Sequence, residues 1–191
     1  MNITRVEQLT HERWLNLFAA TFEHRGHQGR WVFASREEKP HQGIVGAAVV
    51  IVPVLRVEGQ EPRLVVLREY RVPVGAYMIG LPAGLVEKGE AIEEAIRREL
   101  LEETGFELTV IHRITQPLLS SAGLTDEAVL LAFVDVRGEP GAAQALEPGE
   151  DVEVLLVNYA GLCKLCDDKT QIVDAKAWMA LFLYQQLGRI V

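Results

Sequence analysis

The stretch Gly84–Phe106, GLVEKGEAIEEAIRRELLEETGF, constrains this chain more than any other. Its second part has helical periodicity. Ile92, Ala95, Ile96 and Leu100 recur at helical spacing and make one apolar stripe. At ~100° per residue, Glu99 and Glu103 fall on that same stripe and Glu102 sits at its edge. Carboxylates on a core-facing stripe are costly unless positive charge meets them, and Glu99 and Glu103 are a like-charge i,i+4 pair that weakens a bare helix. A divalent cation relieves both costs, since carboxylate oxygens are the ligands that hard Mg²⁺ and Mn²⁺ prefer. A Glu-rich helix merely solvated on its outer side would carry its acids opposite the apolar stripe, and this one does not.

The spacing reads Gly, five residues, Glu, seven residues, then Arg-Glu-Leu-x-Glu-Glu-x-Gly-Phe. Gly84, Glu90, Arg98, Glu99, Leu100, Glu102, Glu103, Gly105 and Phe106 fill every fixed position of the Nudix box, so the chain resembles a Nudix hydrolase. The resemblance implies an α+β fold, an α/β/α sandwich with a mixed β-sheet between helices. It also implies Mg²⁺, with Mn²⁺ as a substitute. Glu99 and Glu103 are the expected direct ligands, Glu102 a ligand or water-mediated partner, and the Ala83 carbonyl a further ligand.

The length, 191 residues, suits one main domain with an appendage, and near-half apolar content suits a proper core. The expected division is a strand extension over residues 1–42, serving dimerisation and base binding, and a hydrolase domain over 43–191. No apolar run is long enough to span a bilayer, and no basic-then-apolar leader opens the chain, so a cytoplasmic protein without membrane partners is expected. A net charge of −8 argues against nucleic-acid binding, which needs a basic face. It permits a small anionic substrate, because a metal supplies positive field locally. Cys163 and Cys166 form a lone CxxC, open to redox or zinc roles. With no second pair and no histidine at ligand spacing, two reduced thiols are the better reading.

Within residues 1–42, Trp14, Leu17 and Phe18 suit a helix face. A hairpin is preferred: Trp14–Glu23, a turn through Arg25–Gly29, then Arg30–Arg36, with Trp31 and Phe33 alternating with polar or small neighbours. Ile44–Leu55 and Leu64–Glu69 read as strands of a second hairpin, Tyr70–Tyr77 as loop and Met78–Leu81 as a short strand. Gly105 suits a helix C-cap. Leu108–Ile114, Ala128–Val136 and Val152–Val157 read as strands, separated by loops at Gln116–Glu127 and Gly138–Asp151. A final helix within Lys169–Ile190 has a face of Val173, Ala177, Ala180, Leu181 and Tyr184.

Glu69-Tyr70-Arg71 and Leu81-Pro82-Ala83-Gly84 resemble the ADP-ribose pyrophosphatase and nucleoside-diphosphate-sugar branch of the family. That likeness implies hydrolysis of ADP-ribose to AMP and ribose 5-phosphate, with Arg71 on the diphosphate, where a planar guanidinium suits phosphate oxygens. It also implies a homodimer through the N-terminal strands, Trp31 stacked on the base and Arg36 in contact with substrate. A hairpin or dimer-core role for Trp31 is the alternative. Ser121-Ala122-Gly123 stands where Ser-Pro-Gly is usual, with Gly123 kept among the substrate contacts. Glu-Tyr precedes Arg71 where Gln-Tyr or Gln-Phe is more usual. The missing proline keeps GDP-mannose and dinucleoside polyphosphates in view as substrates, and a non-catalytic nucleotide sensor is a third possibility. For the general base the likeness points to Glu150, which opens GEDVEV, with Glu127 as second choice. Arg98 and Glu90 are expected to orient the acids rather than touch substrate.

Overall fold

The structure, a computed structural model, describes residues 1–41, 46–142, 144–146 and 148–191. The chain forms two compact units, one of Met1–Ala47 with Gln116–Leu130, the other of Ala48–Thr115 with Leu131–Val191.

In the first unit, β1 (Asn2–Gln8), β2 (Asn16–His24) and β3 (His27–Ser35) form an antiparallel sheet in that order. The hairpin reading holds and the helix alternative does not. Phe18 and Leu17 alternate across β2, one 3% exposed and the other 43%. The turn is tighter than expected. Arg25 and Gly26, at φ 50° and 79°, make a two-residue connection, and His27–Gly29 join the strand. β1 was hidden because all its residues are exposed, so it has no apolar face to betray it. Phe18, Ala20 and Phe33 form this unit's core, with the two phenyl rings 5.9 Å apart. The Gln116–Glu127 segment is not wholly loop. It holds β9 (Leu118–Leu119), which pairs with the start of β10 (Ala128–Arg137).

The second unit contains most of β4 (Gly46–Leu55), β5 (Arg63–Arg71), β6 (Ala76–Gly80), β7 (Ala83–Leu85), β8 (Glu107–Ile114), most of β10, and β11 (Val152–Val157). The order is β11-β5-β4-β10-β8, with β6 on β5 and β7 on β4. Ile44 and Val45, expected at the start of β4, lie outside the described residues. Tyr70 and Arg71 extend β5 instead of opening a loop, because they pair with Tyr77 and Ala76 of β6. Among the described residues the helices are α1 (Ile92–Thr104) between β7 and β8, and α2 (Tyr159–Asp167) and α3 (Ala175–Leu187) after β11. α2 is an addition to the sequence reading, and Asn158 caps it by accepting from the Gly161 amide at 2.9 Å. α3 buries Ala177, Ala180, Leu181 and Tyr184 as expected, whereas Val173 precedes it and bridges Ile79 of β6. Among the described residues no helix is long and apolar enough to cross a membrane.

Candidate active site

α1 begins at Ala91, whose amide donates to the Glu94 carboxylate, and ends at Gly105, whose left-handed φ of 76° lets its amide reach the Leu101 carbonyl at 2.9 Å. Ala95, Ile96 and Leu100 are fully buried. The same rotation carries Glu99 inward, its side chain 13% exposed, and leaves Glu102 at the rim with 44% exposed. β7 meets this face with bare backbone. A Cβ on Gly84 would fall 1.8 Å from the Glu99 Cδ, so only glycine admits that carboxylate. The Ala83 amide donates to Glu103 Oε2 at 2.9 Å. Two consecutive residues of β7 therefore seat both inward acids.

Arg98 links the remaining acids of the box. Its Nε and Nη2 donate to the two Glu90 oxygens at 2.9 and 3.0 Å, its Nη1 to Glu99 at 2.6 Å and Glu102 at 3.3 Å, and its Nη2 also to the Leu85 carbonyl at 3.0 Å. The Glu87 amide donates to Glu90 at 2.9 Å, which ties the preceding loop to the helix. The arginine lowers the Glu90 carboxyl below the usual range through its hydrogen bonds.

Glu103 is pushed up to about 8, first by burial and then by the charges of Glu99, Glu69 and Glu150, against the opposing Ala83 hydrogen bond. Burial likewise raises Glu99, with Glu102 and Glu150 adding repulsion against Arg98. Glu150 thus lies within electrostatic reach of the box acids. Among the described residues no three acid, histidine or cysteine side chains already stand at metal-ligating separations, since Glu99 and Glu102 face Arg98 instead. The donor set still fits a hard cation. It consists of carboxylate oxygens, one beside uncovered backbone, and burial with the neighbouring acids raises Glu103 toward its neutral form.

Arg71 ends β5 with its Nε 3.2 Å from Glu69 Oε1, and both line a cavity of about 220 Å³ that also touches Ala83. Glu69 had no assigned role. The signal was its position two residues before Arg71, which in a strand means the same face.

The first unit places Trp31 and Gly123 together, the indole N–H donating to the Gly123 carbonyl at 3.1 Å. Arg36 Nε lies 3.5 Å from Glu127 Oε1, and Glu127 Oε2 accepts from Ser120 at 3.1 Å. Ser35 donates to Asp126 at 2.8 Å. Trp31, Phe22, Phe33, His41, Leu119 and Ala122 are among the walls of a largely apolar cavity of about 650 Å³. Cys163 and Cys166 are free thiols on α2, and burial raises Cys166, the opposite of an activated thiolate.

Comparison with known proteins places this geometry in a family. The NUDIX domain profile matches residues 45–179. A protein called putative nudix hydrolase 2 from Caenorhabditis elegans is 33% identical over 155 residues, covering 78% of this chain and 69% of that protein. An ADP-ribose pyrophosphatase from Bacillus subtilis is 29% identical over 148 residues, 78% of this chain and 75% of its own length. An ADP-sugar pyrophosphatase from Mus musculus is 25% identical over 185 residues, covering 92% and 84%. A crystal structure of an ADP compounds hydrolase superposes with a TM-score of 0.73 at 21% identity, covering 97% of this chain and 92% of that one, and shows the same fold. The fold and the acid-bearing helix define an α+β hydrolase of the Nudix type. The chain belongs to the Nudix hydrolase family.

Proposed function

We propose that this Nudix hydrolase splits the diphosphate linkage of a nucleoside diphosphate sugar, with ADP-ribose the preferred substrate and Mg²⁺ the cofactor. Water adds to one phosphorus as the bridging P–O bond breaks, and AMP and ribose 5-phosphate leave. The observation that carries this reading is the inward acid pair of α1, Glu99 against Gly84 and Glu103 against Ala83, crowded enough to hold Glu103 partly neutral. Relatives named for ADP-ribose and ADP-sugar pyrophosphatase activity support the substrate class.

The positions of the side chains support a division of roles within this reading. Glu99 and Glu103, with Glu102 and the Ala83 carbonyl, would hold the cation. Such a cation would neutralise diphosphate charge and ease ionisation of the attacking water. Arg98 keeps Glu99 and Glu102 oriented. Arg71, fixed by Glu69, takes a diphosphate oxygen. Glu150 acts as general base, its negative charge already felt at Glu99 and Glu103. Glu127, engaged by Arg36 and Ser120, is the weaker choice. Trp31 and Gly123 belong to base reading, where stacking is worth ~1–3 kcal/mol per base.

Ala122 on the wall of the apolar cavity favours one second reading, GDP-mannose or a dinucleoside polyphosphate through the same chemistry. Homodimerisation through the N-terminal strands is supported by β1, whose Ile3 and Val6 are exposed on a strand that buries neither face. Light scattering tests it. For the activity, phosphate release coupled to a phosphatase is measured across a nucleotide-sugar panel with and without Mg²⁺. Strongest Mg²⁺-dependent release from ADP-ribose is expected. Silence across the panel with tight nucleotide binding would show a sensor instead.

A further inference from the structure

The cavity beside Ala83 has a second cation that the roles above leave unused. Lys176, in the first turn of α3, lines it together with Arg71, Glu69 and Gly80. The two cations are built alike. Arg71 Nε sits 3.2 Å from Glu69, and Lys176 Nζ sits 2.8 Å from Asp174 Oδ2. Asp174's charge acts on Glu69, so the two acid–cation pairs share one electrostatic neighbourhood.

Lys176 is also held in place. The Asp174 amide donates to the Ile79 carbonyl at 2.8 Å, and the Ile79 amide donates to the Ile172 carbonyl at 2.8 Å, which fastens the start of α3 to β6. Asp174 Oδ1 accepts the Lys176 and Ala177 amides at 2.9 and 3.3 Å. Backbone amides thus satisfy Oδ1, and Oδ2 accepts from the ammonium at 2.8 Å, which fixes where the charge sits. The remaining wall includes Val50, Val74, Met78 and Leu81. Glu69 and Asp174 line the cavity too, and its apolar walls strengthen the interaction of a bound anion with each acid-held cation.

We propose that Lys176 is a substrate-binding residue, a point charge that pairs with Arg71 across this cavity to hold the phosphoryl oxygens of the diphosphate. The inference rests on the phosphoanhydride reading of the same site. An ammonium binds phosphate as a compact point charge, without the fork geometry of arginine, so in this role the charge matters more than the shape that carries it.

The test is calorimetric binding of ADP-ribose and of inorganic pyrophosphate, with Ca²⁺ replacing Mg²⁺ to suppress turnover, to wild type, Lys176→Gln and Lys176→Arg. Loss of one charge-assisted contact is expected to weaken both ligands about tenfold in Lys176→Gln, with Lys176→Arg retaining wild-type-like affinity. In steady-state assays with Mg²⁺, Lys176→Gln is expected to raise KM more than it lowers kcat. Affinity of Lys176→Gln within twofold of wild type, or a lowered melting temperature with binding intact, would overturn the proposal, as would a wild type that binds neither probe. The parent reading fails by a different result, absence of Mg²⁺-dependent hydrolysis by wild type. Wild-type hydrolysis with an unmoved KM in Lys176→Gln sinks only the lysine.

Discussion

The two units solve their problems by different means. In the second, the inward acids and their partners are concentrated in one helix and one short strand, and neighbours in sequence make most of the contacts. Glu90, Arg98, Glu99 and Glu102 form a single hydrogen-bonded set within one loop and helix. In the first, the notable contact joins Trp31 to Gly123 across 92 positions, around a cavity walled by rings and aliphatic side chains. Charge placed locally suits bond cleavage, which needs fixed geometry. Apolar surface assembled from distant segments suits reading a flat heterocycle, which needs shape. The difference predicts that variants in the second unit strike turnover and variants in the first strike affinity.

The largest expected effect is that of Glu99→Gln, a fall in kcat of at least about 10³-fold, the scale on which charge stabilisation of the transition state is lost. Turnover within tenfold of wild type in the coupled phosphate assay would break the comparison at its root. Glu150→Gln is expected to lower kcat by ~10²–10⁴ while calorimetry finds Mg²⁺ affinity unchanged. A fall in metal affinity would instead make Glu150 a ligand. Gly84→Ala should cost on the order of 10² in kcat, since displacing Glu99 by about an ångström is enough. An unchanged rate would mean the backbone approach is not needed. In the other unit, Trp31→Ala should raise KM for ADP-ribose about tenfold to a hundredfold with kcat little altered. A kcat defect in place of the KM defect would erase the contrast.

The smallest effect concerns pH. Glu103 stays protonated in the folded chain up to about 8 but ionises near its ordinary 4.5 when unfolded. Between those values the folded state binds more protons, so stability falls as pH rises through the window. Without divalent cation, the melting temperature should drop by several degrees between pH 5 and pH 8. Added Mg²⁺ should raise it more at pH 8 than at pH 5. A flat profile without metal would show that the carboxylate is better compensated than its surroundings suggest.

Legibility in the sequence follows the same divide. α1 and its inward acids could be read because periodicity is a local property, and Gly105 ended the helix where its residue type required. The strand continuing through Tyr70 and Arg71 was masked by Pro73 and Gly75 just beyond, which punctuate a loop two residues later than they first suggest. β1 gave no signal because it has no buried face, and α2 because CKLC drew the reading toward thiol chemistry. Glu69 was visible as a departure from the usual dipeptide, but its grip on Arg71 needed the strand face. Lys176 reaches the cavity only because α3 is tied to β6, a pairing with no local trace.

The arginine at the heart of the box has a consequence for how its acids move. Arg98 grips Glu90, Glu99, Glu102 and the Leu85 carbonyl at once, so one side chain sets the spacing of three carboxylates. Any disturbance of that single guanidinium reaches three acids together, so the box responds as one unit.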